Sequence, residues 1–169
     1  MKKLFLIIFL FYCVFNSGYT QIQREIKEER IGNHVYRVIH SNVEGETSIW
    51  IERATDSLRH LDPGFERSRS MKVEYDRDKL NNLTKKYIVP IIKQSGLTFK
   101  DNEYLGTICI FDLEGNIREF SMDFPDKLKI PMKIVDDFFN AVLSSGLTVK
   151  YNKEHYGWKN ANYVYFSHT

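Results

Sequence analysis

Residues 130–150, IPMKIVDDFFNAVLSSGLTVK, hold the pattern on which the fold turns. Pro131 suits a first helical position, where its fixed φ helps and its missing N–H costs nothing. Ile134, Val135, Phe138, Ala141 and Val142 then recur at helical spacing and form one apolar stripe. Gly146 stops the helix, because a left-handed residue suits glycine there. Leu147 falls next, where an apolar side chain packs back on the last turn. LTVKYN begins a strand.

Almost the same stop occurs earlier. Residues 95–100 read SGLTFK against SGLTVK at 145–150. Leu80, Leu83, Tyr87, Ile88, Ile91 and Ile92 form the stripe before Gly96, and Asp76 or Asp78 can cap its start. Pro90 lies inside this run and kinks it or opens its last segment. Each hexamer therefore says the same thing: end a helix, turn, begin a strand. Folding accounts for its residues without a ligand. The spacing of the flanking turns, NVEGE and DLEGN, differs from that of the hexamers. The sequence thus leaves open whether they mark two degenerate hairpin–helix–strand repeats.

Around these helices lie alternating runs. HVYRVIHS and TSIWIERA form a hairpin about Gly45, with Trp50 facing away from Ile49 and Ile51. MKVEY is a half-buried strand. YLGTICIFD is apolar on both faces and reads as central, with IREFSMDF returning after LEGN. NYVYFSH closes the chain, with Tyr163 and Tyr165 on one face and Val164 and Phe166 on the other. Residues 21–32 are charged, lack a stripe, and read as a frayed arm or a short helix. Residues 55–70 read as an exposed excursion. Arg53, Arg59, Arg67, Arg69 and Lys72 alternate there with Asp56, Asp62 and Glu66, as in a solvated loop. The class is α+β: a mainly antiparallel sheet with two helices packed on one face.

The first twenty residues set the compartment. MKK is a basic start, LFLIIFLFYCVF is an apolar run too short to span a bilayer, and NSGYT is small and polar. This reads as a signal peptide, expected to be cleaved before Gln21 and not kept as an uncleaved anchor, leaving one domain over 21–169 exported to the periplasm, cell surface or medium, with no retained membrane anchor. Tyr12 before Cys13 argues against a lipidated cysteine. Loss of Lys2 and Lys3 reduces the 24 basic residues to 22, equal to the 22 acidic ones. A broad basic footprint for nucleic acid is therefore excluded. Cys109 is then the one cysteine left, flanked by Ile108 and Ile110, and reads as a small buried hydrophobe.

Catalytic and nucleotide-binding motifs are absent: no HExxH, G-x-S-x-G, P-loop or G-x-G-x-x-G. No catalytic or metal residue is assigned and no cofactor is indicated. His34 and His40 stand too far apart along one strand to share a metal. Asp136-Asp137 reads as a solvated helix face. The aromatic C-terminus is the richest candidate surface. Tyr156, Trp158, Tyr163 and Tyr165 could anchor a protein or stack on a glycan, against the alternative that they fill the core. Trp158, in a Gly-Trp-Lys-Asn loop, is expected to be partly exposed.

Two resemblances follow from these residues. A signal ending in GYT before Gln21, on a Lys- and aromatic-rich chain, looks like small exported Bacteroidetes proteins of unknown function. Residues 106–168 resemble the TonB C-terminal domain in element order: GTICIFDLEGNIREFSM for its hairpin, IPMKIVDDFFNAVLSS for its helix, NYVYFSH for its closing strand. That resemblance implies a periplasm-facing α+β module able to pair strands with a partner. The expectation is a non-enzymatic interaction module whose partner is a cell-envelope protein or a glycan. The alternatives are a glycan-binding module and an enzyme whose site is assembled from distant residues.

Overall fold

The computed structural model describes residues 23–43, 45–64, 72–99 and 104–168; the signal segment, Arg67, Arg69 and Glu66 lie outside the described residues. In chain order the elements are β1 (Gln23–Ile31), β2 (His34–Val43), β3 (Glu46–Arg53), β4 (Val73–Tyr75), α1 (Arg77–Tyr87), α2 (Val89–Ser95), β5 (Gly106–Phe111), β6 (Ile117–Pro125), α3 (Met132–Ser144), β7 (Val149–Tyr151) and β8 (Val164–His168). Six strands make one antiparallel sheet in the order β1-β2-β3-β6-β5-β8, and β4 pairs with β7 separately. The architecture is the mixed α+β one expected, with an open sheet.

The hairpins β2–β3 and β5–β6 meet with β3 antiparallel to β6, so each places its second strand at the seam; β1 then extends one side as a hairpin with β2, and β8 the other from the chain's C-terminal end. One face of the sheet carries Val38, Ile49, Ile51, Cys109, Phe111, Phe120, Met122, Phe124 and Val164 into the core. The helices cover it with Leu80, Ile88, Val135, Phe138, Phe139 and Val142. Phe139 completes the helical stripe beside Phe138: its ring meets Phe120 at 4.9 Å and Tyr36 at 5.2 Å, edge to face. Cys109 is 1% exposed, and burial pushes its thiol up to about 12, as a small core residue should behave.

Gly96 (φ 66°) and Gly146 (φ 65°) both take the left-handed conformation. The serine of each hexamer adds a detail not expected. Ser95 Oγ donates to Ile92 O and accepts from Leu97 N; Ser145 Oγ donates to Val142 O and accepts from Leu147 N. A side chain thus satisfies the leucine amide beyond each helix end.

Several expectations need correction. Residues 21–32 supply neither an arm nor a helix: Gln23–Ile31 is a full strand paired along its length with β2. The two-residue Gly32-Asn33 turn, with Gly32 at φ 58°, sets that hairpin. The helical run splits at Pro90, which opens its last segment as expected because it cannot donate a ladder hydrogen bond, so the described residues hold three α-helices where two stripes were read. Of LTFK, Leu97–Phe99 form no strand, whereas VKY does, since β7 has β4 to pair with; Lys100 lies outside the described residues. The helix after Pro131 begins at Met132, with Pro131 in extended conformation as its cap.

Candidate functional site

Among the described residues, no α-helix covers the sheet's other face. It carries Trp50 and Glu52 on β3, Glu119 and Ser121 on β6, Ile108 and Ile110 on β5, and Tyr165 on β8. Glutamates are unusual on a strand and costly to bury unpaired. Here Glu52 is 4% exposed and Glu119 is 5% exposed. Their partners come from the connection after β3, which folds back across this face as a strap with a single 3-10 turn at Leu58–His60.

Glu119 holds the strap by its backbone. Its Oε1 accepts from Ser57 N at 2.7 Å and Leu58 N at 2.6 Å, and its Oε2 accepts from Arg59 N at 3.1 Å. These are N–H groups at the start of a helical turn, where an acceptor is needed. Glu52 holds the strap by its side chains. Arg59 donates to Glu52 Oε2 and, at 2.7 Å, to Ser121 Oγ. Arg37 donates to Glu52 Oε1 at 2.5 Å and Trp50 Nε1 to Oε2 at 3.0 Å. Burial opposes ionisation of Glu52, yet the hydrogen bonds from Trp50, Arg59 and Arg37 keep its pKa below the ordinary carboxylate range. The Arg59 guanidinium also lies 5.1 Å over the Trp50 ring.

The solvated loop expected for Arg53, Arg59 and Asp56 is therefore not what forms. The Arg59 side chain is 8% exposed, and Arg53 donates to Asn140 on α3. Lys72 is exposed as expected. Asp56 Oδ2 and the Nε atoms of Arg53 and Arg59 are buried with no hydrogen-bond partner among the described residues. Burial first, and then the Glu119 charge, raise Asp56 to about 7. A carboxyl raised on folding binds its proton more tightly in the native state, so stability falls as pH climbs from the ordinary Asp value to about 7. Asp56→Asn is expected to flatten urea-unfolding stability between about pH 5 and 7, where the parent chain loses up to ~1.4 kcal/mol per pH unit. Equal slopes in the two proteins would contradict this.

Between strap and sheet lies a cleft of ≈ 440 Å³. Trp50, Ile108, Ile110 and Pro63 make its apolar walls, Tyr163 and Tyr165 close one side, and Glu52, Arg59 and His60 form its polar end. Tyr163 is buried, and its hydroxyl donates to Leu61 O at 3.3 Å, tying the residue just before β8 to the strap. The two tyrosine rings stand 6.3 Å apart and tilted by 56°.

The four aromatic candidates thus separate. Tyr163 and Tyr165 come together in the cleft. Tyr156 is 81% exposed and stacks on His155. Trp158 corrects the expectation of exposure: it is 7% exposed, packs edge-on to Tyr151 and donates from Nε1 to Asn152 at 3.1 Å. Asp136 also corrects the solvated-face reading. It is 8% exposed, accepts from Tyr36 Oη at 2.7 Å and Asn140 Nδ2 at 3.1 Å, and lies 2.8 Å from His34 Nδ1. This cluster fastens β2 to α3. Asp137 pairs with Lys133 at the surface.

Among the described residues no three His, Cys, Asp or Glu side chains are grouped to hold a metal, and no helix is long and apolar enough to cross a membrane. The sequence pattern had left out Trp50, Glu52, Arg59 and Glu119. The signal available was a pair of glutamates, Glu52 and Glu119, on strands otherwise built for burial.

No family model matches the chain, and no curated protein matches it. Among solved structures, a DUF5043 family protein from Bacteroides uniformis is similar at a TM-score of 0.55 and 16% identity, covering 89% of this chain and 93% of that one. At that identity the likeness is one of fold. It sets the chain beside an uncharacterised Bacteroides protein. None of these comparisons shows the likeness to the TonB C-terminal domain.

Proposed function

We propose that the chain is an exported, non-catalytic binding module of the cell envelope that receives a partner macromolecule in the open-face cleft. The observation carrying this reading is the cleft itself: aromatic and aliphatic walls meet a polar end whose charges are already engaged with one another. Apolar walls with a few fixed polar groups suit recognition. Catalysis would ask for a carboxyl or imidazole held near the working pH and open to substrate. Glu52 is held ionised by its donors, Glu119 is committed to three backbone amides, Asp56 does not line the cleft, and the one imidazole that does, His60, has its Nε2 engaged 3.3 Å from Arg37 Nη1. Recognition of a glycan by stacked rings fits less well, because Tyr163 and Tyr165 are tilted and Trp158 is buried. Strand pairing with a partner, as the TonB resemblance implies, would use the β8 edge beside the same cleft.

The test is retention of envelope components by the immobilised protein. Tyr165→Ser is expected to lower retention at least tenfold while leaving the circular dichroism spectrum unchanged, and Tyr156→Ala is expected to retain as the parent does. Unchanged retention by Tyr165→Ser would contradict the reading.

A further inference from the structure

At the far edge of the sheet, β1 offers nine residues, QREIKEERI, with no strand beyond them among those described. Such an edge presents a row of unpaired N–H and C=O groups, and charged residues blunt its pairing. Here the charges follow a rule. Around Ile26 they are opposite at each step: Glu25 against Lys27, then Arg24 against Glu28. Ile26 itself is 61% exposed.

An antiparallel pair of identical strands related by a two-fold axis must place one residue opposite its own copy. With the axis at Ile26, Ile26 meets Ile26, Glu25 meets Lys27 and Arg24 meets Glu28, so every charge from 24 to 28 faces its opposite. With the axis at Lys27, Lys27 meets itself, Glu25 meets Glu29 and Arg24 meets Arg30, all like charges. Axes at Glu25 or Glu28 set a glutamate against itself. Backbone parity agrees. Ile31 and His34 flank the two-residue turn as a hydrogen-bonded pair, so, counting back by twos, Arg24, Ile26 and Glu28 turn their N–H and C=O groups to the free edge. Ile26 also stands beside Ile39, which pairs with Trp50, so the copy would extend one row of large side chains across the open face.

We infer that β1 is a self-recognition edge: two copies of this chain join their sheets antiparallel about a two-fold axis at Ile26, giving one continuous twelve-stranded sheet from two six-stranded ones.

Oxidative cross-linking of single-cysteine additions tests it, with the protein produced from its full-length gene. The native Cys109 is buried and does not interfere. Opposed hydrogen-bonded residues lie about 5.5 Å apart between Cα atoms, within disulfide range. Ile26→Cys is expected to convert most of the chain to a covalent dimer, and Lys27→Cys at least five times less. By light scattering the parent is expected to be dimeric, Glu25→Lys monomeric, and the exchanged pair Glu25→Lys with Lys27→Glu dimeric again. A monomeric parent, or stronger cross-linking from Lys27→Cys than from Ile26→Cys, would overturn the inference.

Discussion

Arg59→Met is expected to destabilise the protein by about 3–5 kcal/mol in urea unfolding, and to free the strap from the sheet. The size follows from what remains. Glu52 is 4% exposed, and Arg59 is its most deeply buried cationic partner, while Arg37 is 28% exposed along its side chain. Removing Arg59 leaves the buried Glu52 charge to Arg37 and the Trp50 N–H alone and leaves Ser121 Oγ without its donor, whereas removing both members of the pair is far cheaper. The double variant Arg59→Met with Glu52→Gln should therefore cost less than the sum of the two single changes, by 1 kcal/mol or more. Additive losses would mean that the pair contributes nothing beyond its two side chains taken separately.

Phe139→Ala should have an effect of similar size by another route. The ring is fully buried between Phe120 and Tyr36, and it lies where α3 meets the centre of the sheet. Its loss removes transfer free energy and leaves a cavity, together about 3–5 kcal/mol. That is a large share of the ~5–15 kcal/mol that usually holds a domain folded. Leu113→Ala, at an exposed turn position, should change stability by no more than about 0.5 kcal/mol. Thermal or urea unfolding of the two variants checks the contrast. Similar losses would place the core elsewhere.

The parts of the fold readable in the sequence are those where one local rule decides. The α3 stripe, the left-handed Gly96 and Gly146, the two-faced apolarity of β5 and the hairpin turns are each set by neighbours a few residues away. The β1 strand was missed because its side chains are nearly all exposed, so no apolar alternation marks it; only Gly32-Asn33 betrays the hairpin. LTFK and LTVK are locally equivalent in sequence, yet Leu97–Phe99 form no strand while Val149 onward pairs with a distant partner, β4.

The site was less readable for the same reason. Glu52 and Glu119 look surface-bound until the strap returns to supply Arg59 and three amides from 57–59. Tyr163 and Tyr165 were recognisable as a pair on one strand face. Nothing near them in the chain announces Trp50 or Pro63 as their neighbours.

Photo-cross-linking in intact cells tests most directly whether the open-face cleft receives a macromolecule. A photoreactive phenylalanine analogue at Tyr165 should yield one discrete covalent adduct, and the same group at Tyr156 should yield none. No adduct from position 165, or the same adduct from both positions, would contradict the claim.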